Sequence, residues 1–525
     1  MYDLVIADGF IIDGTGKERF KGDIAVKGDK IVDIGDLRGR ETLGRVEARD
    51  RIVCPGFIDM HSHSDIDILK FPYEHNKLRQ GITTEIAGQC GLSLFPFTEK
   101  GSMFFRQAMH AYNRDDLQVD WSSAEEFFLK AETRGLGVNI APHAGHATLR
   151  MDVAGIRSGI LTGDELSLMK RLLTEAMEQG AIGLSTGLGY PPCCFAATEE
   201  LIALAGIVSK YNGIFSLHMR DQGDFLLEAV EEAIRIGREA EVPVCISHIK
   251  ASGEKNWGKM AAALELIEKA RKEGISVICD FYPYTAAENT LIYELPQWLN
   301  EKGLQTCVEW LSDRAIRRTL EDELKDRGDS YWDGVTIGKI GKGKNRKYLG
   351  MSISEISEVL GKNPLDTVCD ILVEENLGVE VISNIMSMED VAAAAKYPMS
   401  VIGSDAYAQD SDTGSFTGHP RNFGAFPAFI KNFVIDRGLV TLEEGIRKMT
   451  SMPADFAKLK GRGKLETGAF ADITVLDVHK LSDRATYRNP AQYPEGIPYV
   501  IVNGKLQVDS GEVKEIPCGR ILTRQ

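Results

Sequence analysis

Short apolar stretches alternate with longer helical ones through most of this chain of 525 residues, and this alternation restricts the fold more than any other feature. Clear helical stretches run over 199–211, 226–241 and 259–273. Strand–helix alternation of this extent predicts an α/β fold with a parallel sheet. Eight of the short stretches end in polar residues, as the strands of a (β/α)8 TIM-type barrel do where they carry chemistry. These ends are His61-Ser62-His63, Gln89-Cys90, His143-Ala144-Gly145-His146, Ser185-Thr186-Gly187, His218, His248, Tyr282-Pro283-Tyr284 and Ser404-Asp405.

The two ends of the chain follow a different pattern. Short strands separated by Gly and Asp turns fill residues 1–55, and similar strands recur at 471–476 and 499–505. We expect both ends to pair into one small β-sandwich domain, with two separate small sandwiches as the alternative. The barrel is then expected over 56–440, and a closing helix with the remaining β-strands over 441–525.

A charged stretch at about 289–347 separates two predicted strands by far more than one helix. It predicts an inserted small subdomain, which is either a lid or a solvated surface excursion. The apolar stretch 379–386 does not fit the count of eight strands. We interpret it as an extra element before the last barrel strand.

Composition limits the partners and the compartment. The formal net charge of −16 argues against nucleic acid as the main partner, because phosphate binding needs clustered Lys and Arg. No apolar run approaches the roughly 20 residues of a membrane span, so no membrane partner is expected. The nine cysteines are an odd number spread thinly along the chain, and no signal peptide is visible. These features predict a reducing, cytoplasmic location.

His61 and His63 form the sharpest candidate site. Residues two apart on a strand face the same way, so both imidazoles are expected to point together and to hold one metal ion. A single His-x-His pair also arises by coincidence or packing. However, four of the ten histidines lie at predicted strand ends in this arrangement, namely His61, His63, His218 and His248.

Four more strand ends carry candidate site residues. His218 and His248 close successive barrel strands, each before a polar loop, and imidazole suits zinc and neighbouring transition metals. Cys90 after a strand is either a small buried hydrophobic residue or a thiolate that bridges two ions. Asp405 either caps a helix or takes a proton from water activated by the metal.

Further short motifs extend almost from end to end. They are Gly56–Asp65, Gly81–Thr84, Cys90-Gly91, Gly145-His146, Ser185–Pro192, Ser247–Lys250, Tyr282–Ala286, Gly403–Asp405 and His419–Arg421. Together they resemble the D-aminoacylase (N-acyl-D-amino-acid deacylase) family of the amidohydrolase superfamily, although each motif alone is weak. The resemblance implies hydrolysis of N-acyl-D-amino acids or D-dipeptides to a carboxylic acid and a free D-amino acid.

The resemblance also implies the metals. One zinc ion would be held tightly by Cys90, His218 and His248. A second, weaker site would use His61 and His63 and share Cys90.

The remaining roles follow from the same resemblance. Asp405 would be the general base and acid. Lys250 and Tyr190 match positions that hold the substrate carboxylate, and Tyr282 or Tyr284 would join them. A cation and hydroxyl donors at a fixed distance from the zinc are what a free α-carboxylate requires.

One candidate and several departures stay open. His146 follows a barrel strand and is either a hydrogen-bond donor in the site or a structural residue. Positions that depart from the family pattern put the exact substrate in doubt, but none of them removes a metal ligand. They are Glu85, Gln89, Cys193, Cys194 and Ala406.

Two other functions are found on the same fold. Cyclic-amide hydrolases of the hydantoinase and dihydroorotase type share the histidines and Asp405, but their metals are bridged by a carbamylated Lys on the fourth strand. Here that strand ends in Ser185-Thr186-Gly187, and Cys90 is the available bridge. A non-catalytic scaffold with the same fold tends to lack the ligands that this chain keeps.

Overall fold

The computed structural model describes residues 1–110, 112, 114, 116–300, 303–341, 343–410 and 418–524. Within them, eight parallel strands build a barrel, and the third is interrupted at His143. The strands are Phe57–Asp59, Ile82–Ala87, Asn139–Pro142 with Ala144–Gly145, Gly183–Gly187, Ile214–His218, Val244–Ile246, Val277–Phe281 and Ser400–Ile402.

Hydrogen bonds between neighbouring strands join this barrel. The first three strands pair in parallel, and the rest form a second parallel sheet in which the seventh strand pairs with the eighth. The Ile182 amide donates to Pro142 (2.9 Å) between the two sheets, and the Met60 amide donates to Ile402 (3.2 Å) between the first and last strands. The predicted (β/α)8 barrel is therefore confirmed.

Amphipathic helices cover the outside of the barrel. In Leu226–Ala240, for example, the buried residues recur every three or four positions, which turns one apolar stripe toward the strands. No helix in the described ranges is both long and apolar enough to cross a membrane. The main helices are Ala124–Arg134, His146–Ala154, Gly163–Glu178, Thr198–Lys210, Leu226–Ala240, Met260–Lys272, Met388–Lys396, Arg421–Ala428 and Leu442–Met449.

Both ends of the chain contribute to one nine-stranded sheet. Ile52–Pro55 lies antiparallel to Ile473–Leu476, with Val53 opposite Val475. Two separate sandwiches are thereby excluded, and the prediction of one β-domain from both ends is confirmed. Its strands are Tyr2–Ile11, Phe20–Lys27, Lys30–Gly35, Thr42–Glu47, Ile52–Pro55, Ile473–Leu476, Tyr499–Val502, Lys505–Asp509 and Glu512–Val513.

The inserted subdomain has a three-stranded antiparallel sheet and a hydrophobic core of its own. Its central strand is Val379–Asn384, which pairs with Ala286–Thr290 on one side and Val335–Ile340 on the other. The insertion thus extends past the predicted boundary at 347, because its central strand is supplied by the later segment. The subdomain begins directly after the seventh barrel strand, at the end of the barrel that carries the polar residues. Its helices are Leu304–Ser312, Arg314–Leu324, Ile353–Leu360 and Pro364–Glu374.

Candidate metal centre

The side chain of Cys90 stands among three imidazoles at the carboxyl end of the barrel. Its sulfur lies 3.4 Å from His61 Nε2, 3.4 Å from His248 Nε2 and 3.9 Å from His218 Nδ1. The nitrogens of His218 and His248 that face the sulfur are themselves 2.9 Å apart. Side chains from the ends of four barrel strands therefore converge at one point.

The backbone is unusual at these strand ends. Cys90, His248 and Asp405 have φ angles of 53°, 34° and 52°, in the left-handed region that non-glycine residues seldom adopt. Such conformations concentrate at functional sites, where they aim side chains that a regular strand would direct elsewhere. Gly189 allows the close approach, since a Cβ there would lie 2.9 Å from His218 Nε2.

The donor atoms fit a metal ion. Two groups, each with ligand atoms within 4.8 Å of one another, share Cys90: one adds His61 and His63, the other His218 and His248. Burial opposes ionisation of the Cys90 thiol, but the charges of His61 and His248 outweigh it and hold its pKa well below its usual value. A thiolate with imidazoles is a donor set that suits zinc.

Asp405 is placed to move a proton beside these ligands. Its Oδ1 lies 3.2 Å from His63 Nε2, and its Oδ2 lies 2.7 Å from Arg421 Nη1. Burial alone would raise the pKa of Asp405, but Arg421 and His61 hold it well below its usual value. The carboxylate is thus ionised and able to accept a proton at neutral pH.

Arg421 and Asp280 complete the centre, although sequence analysis gave neither a role. Asp280 accepts a hydrogen bond from the His248 amide (2.7 Å), and its other oxygen lies 3.4 Å from His61 Nδ1. A carboxylate behind a ligating His fixes the ring orientation. Two features of the sequence could have indicated these residues. Asp280 is an acid inside the apolar strand Val277–Phe281, and Arg421 ends a His-Pro-Arg motif.

Three of the predicted substrate-binding residues border the cluster. Lys250 Nζ lies 3.0 Å from His248 Nδ1 and 5.5 Å from the centre of the Tyr282 ring. The ring of Tyr190 packs on His218 at 4.5 Å, and its hydroxyl accepts a hydrogen bond from Asn289 (3.0 Å).

Two predicted residues are not brought to the cluster. The Tyr284 hydroxyl donates to Asp483 at 2.8 Å, away from the metal ligands. The two ring nitrogens of His146 lie 2.8 Å from Thr186 Oγ1 and 2.9 Å from Glu200 Oε1, in a fully buried position. The geometry favours the structural role for His146.

An apolar cavity of about 60 Å³ opens beside Cys90 and Tyr190. It can take a hydrophobic part of a substrate held at the metal centre. Its apolar walls come from the loops and helices that follow the barrel strands and from the inserted subdomain. They are Leu92, Ala108, Tyr112, Ala147, Met151, Ile156, Pro191, Ile292 and Tyr293.

Comparison with known proteins gives a consistent result. The model of the Amidohydrolase family matches residues 45–508. A D-aminoacylase of Alcaligenes xylosoxydans xylosoxydans is 33% identical over 100% of this chain and 98% of its own length, and an N-acyl-D-glutamate deacylase of the same organism is 32% identical over 99% and 96%. The crystal structure of N-acyl-D-glutamate deacylase from Bordetella bronchiseptica, complexed with zinc and a phosphonate mimic of the tetrahedral intermediate, is 28% identical, with full coverage of both chains and a TM-score of 0.84. The chain therefore belongs to the amidohydrolase family, and within it to the D-aminoacylase group of N-acyl-D-amino-acid deacylases.

Proposed function

We propose that this chain is a zinc-dependent hydrolase that cleaves N-acyl-D-amino acids to a carboxylic acid and a free D-amino acid. The observation that carries the proposal is the Cys90 sulfur among three imidazoles, next to the ionised carboxylate of Asp405. Cys90, His218 and His248 would hold one zinc ion tightly. The zinc complex of the Bordetella bronchiseptica relative supports this choice of metal.

A second, weaker zinc site would use His61 and His63 together with Cys90. The three ligand atoms lie close enough to share one ion. His63 Nδ1 has no hydrogen-bond partner among the described residues, so this ring is held less firmly than that of His61. A less constrained ligand is consistent with weaker binding.

Asp405 carries the proton in the reaction. Zinc supplies the Lewis acidity that activates water and polarises the amide carbonyl. Asp405 Oδ2 is held by Arg421, which leaves Oδ1, beside His63, to accept the proton of the attacking water and pass it to the leaving nitrogen.

The substrate carboxylate would bind to Lys250, Tyr190 and Tyr282. The Tyr282 hydroxyl is buried without a hydrogen-bond partner in the described part of the chain. The charged groups of Lys250 and Arg421 lie 5.5 Å and 4.8 Å from the centre of the Tyr282 ring. A buried hydroxyl with a free proton next to a cation can donate to a carboxylate.

The alternatives from the sequence receive no support from the site. The fourth barrel strand, Gly183–Gly187, carries no Lys that could bridge two metals, and Cys90 belongs to both candidate ligand groups. A pure scaffold would not need ligands and a proton carrier assembled at one point.

The function is tested with paired D and L N-acetyl amino acids, including dipeptides, and the zinc-loaded protein. We expect the D substrates to be hydrolysed roughly 100-fold or more faster than their L partners, because only one enantiomer places its amide at the metals while its carboxylate is held. Removal of zinc by a chelator should abolish turnover, and added zinc should restore it. Hydrolysis of a cyclic amide such as dihydrouracil, with no D-amino acid released from any linear substrate, would contradict the proposal.

Replacement of Asp280 should weaken metal binding. In Asp280→Asn we expect zinc affinity to fall roughly 10- to 100-fold, since the carboxylate that orients His61 and the His248 backbone is lost. The measurement is zinc competition with a chromogenic chelator. Asp483→Asn, which alters a carboxylate bonded to Tyr284, is the matched control and should keep wild-type affinity. Equal affinity in both variants would show that Asp280 does not support the metal site.

A further inference from the structure

A second, polar cavity of about 50 Å³ adjoins the metal centre. His63, Cys90 and His248 form its floor, and the inserted subdomain forms part of its wall. We call it the polar cavity and define its charged wall as Glu288, Glu380, Asp405 and Arg421. The proposed function assigns no role to the two glutamates.

The charged groups on this wall differ in how closely a group of opposite charge approaches them. Arg421 contacts Asp405 at 2.7 Å, and Glu380 forms an ion pair with Lys339 at 3.2 Å. Glu288 Oε2 has no hydrogen-bond partner among the described residues, and its nearest cation is Arg421 Nη2 at 3.9 Å. Only 5% of the Glu288 side chain is exposed. Glu288 is thus a buried carboxylate whose charge is poorly compensated.

A positively charged group on a ligand would compensate the charge of the Glu288 carboxylate. Burial raises the pKa of the Glu288 carboxyl to about 7, which reflects the cost of a carboxylate held away from water. An ammonium group offers three hydrogen-bond donors and a positive charge. The cavity volume is sufficient for a group of that size, since one water takes about 30 Å³ in the liquid. A carboxylate placed here would instead meet Glu288 and Glu380.

We propose that Glu288 binds an ammonium group of the substrate. This enzyme then prefers N-acyl-D-amino acids or dipeptides that carry a positive charge over N-acyl-D-amino acids with an acidic side chain. The inference rests on the proposed function and specifies its substrate class. The ammonium group has two possible sources, the side chain of the D-amino acid or the free amino terminus of a dipeptide. Either one brings the same chemistry to Glu288.

Two substrate sets separate these sources with the zinc-loaded wild-type enzyme. N-acetyl-D-lysine, N-acetyl-D-glutamine and N-acetyl-D-glutamate vary the side-chain charge. Glycyl-D-methionine and N-acetyl-D-methionine differ in the amino group alone. We expect the ammonium-bearing member of at least one set to have a kcat/KM about 10-fold or more above its neutral partner, the size expected for a hydrogen bond to a charged group. N-acetyl-D-glutamate should be the poorest of its set.

The variant Glu288→Gln keeps the shape and removes the charge. Its preference for the ammonium-bearing substrate should fall about 10-fold relative to wild type, through KM rather than kcat. Glu294→Gln is the matched control, because Glu294 lies in the same subdomain, bonds to Ser383 and does not line the polar cavity. It should keep the wild-type preference.

The possible results distinguish failure of the Glu288 role from failure of the proposed function. A preference for N-acetyl-D-glutamate, equal rates within both sets, or an unchanged preference in Glu288→Gln would overturn the role of Glu288 while the deacylase activity stands. No hydrolysis of any member, N-acetyl-D-methionine included, would refute the proposed function and this inference together. The wild-type comparison needs no variant, so it remains decisive if Glu288→Gln does not fold.

Discussion

Asp405→Asn is expected to retain the tightly held zinc ion and to lose roughly 10²- to 10⁴-fold in kcat, the usual contribution of a positioned general base. Asparagine keeps the size of the side chain but cannot accept a proton. The proposed tight site uses Cys90, His218 and His248, none of which the substitution alters. Loss of turnover without loss of metal would therefore separate proton transfer from metal binding.

The comparison requires metal content and steady-state kinetics on the same samples. Asp152→Asn is the matched control, because Asp152 is also a buried aspartate but accepts a hydrogen bond from the Thr98 amide, away from the metal centre. It should keep wild-type kcat. A kcat for Asp405→Asn within about threefold of wild type would exclude Asp405 as the base. Loss of the zinc ion would identify Asp405 as a required ligand, as its proximity to His61 and His248 allows.

The proposed metal ligands could be predicted from the sequence because each one lies at or just after the end of a regular element. His61 and His63 follow the first barrel strand, and His218 and His248 close the fifth strand and follow the sixth, so a parallel barrel must bring them to one rim. Cys90 could be placed at the rim by the same rule. Its ligand role depended on the resemblance, since a cysteine after a strand is more often a packing residue.

Residues beyond the regular elements could not be placed by such rules. Tyr282 and Tyr284 are two apart, and both would face one way on a strand, but the seventh strand ends at Phe281. The chain then turns, so that Tyr282 lies beside Lys250 while Tyr284 reaches Asp483.

Residues that are far apart in the sequence but meet in the fold could not be predicted either. Glu288 and Arg421 come from segments far apart in the sequence, and no local pattern indicates that both line the polar cavity. His146 shows the converse case: its position after a barrel strand suggested the site, yet both ring nitrogens have buried partners elsewhere.

Beneath the metal centre lies a buried charge network that accounts for one departure from the family pattern. Glu85, one of the positions that depart from the family pattern, forms an ion pair with Lys77 at 2.6 Å. Lys77 also donates to Asp59 at 2.9 Å and to Ser404 at 3.0 Å. Asp59 in turn accepts hydrogen bonds from the His61 and Ser404 amides, so the network joins the first and last barrel strands.

Lys77→Met should therefore destabilise the protein strongly, by roughly 3–5 kcal/mol in the free energy of unfolding. Burial alone would lower the pKa of Lys77, but Asp59 and Glu85 outweigh it and raise the pKa, so the side chain is charged in the folded protein. Methionine fills the same space and leaves both carboxylates buried without their cation. Lower zinc content should accompany the loss, because the strand ends that carry His61 and Asp405 lose their common anchor.

Lys70→Met gives the matched comparison for this effect. Lys70 pairs with Asp116 at 2.7 Å, but its side chain is 57% exposed, and exposed pairs contribute less than about 1 kcal/mol. Urea unfolding of both variants, followed by fluorescence together with zinc release, measures the difference. If Lys77→Met lost no more stability than Lys70→Met, the buried cation would not be what holds Asp59 and Glu85 inside the barrel. Partial recovery in Lys77→Met/Glu85→Leu would instead show that the uncompensated charge, rather than lost packing, causes the destabilisation.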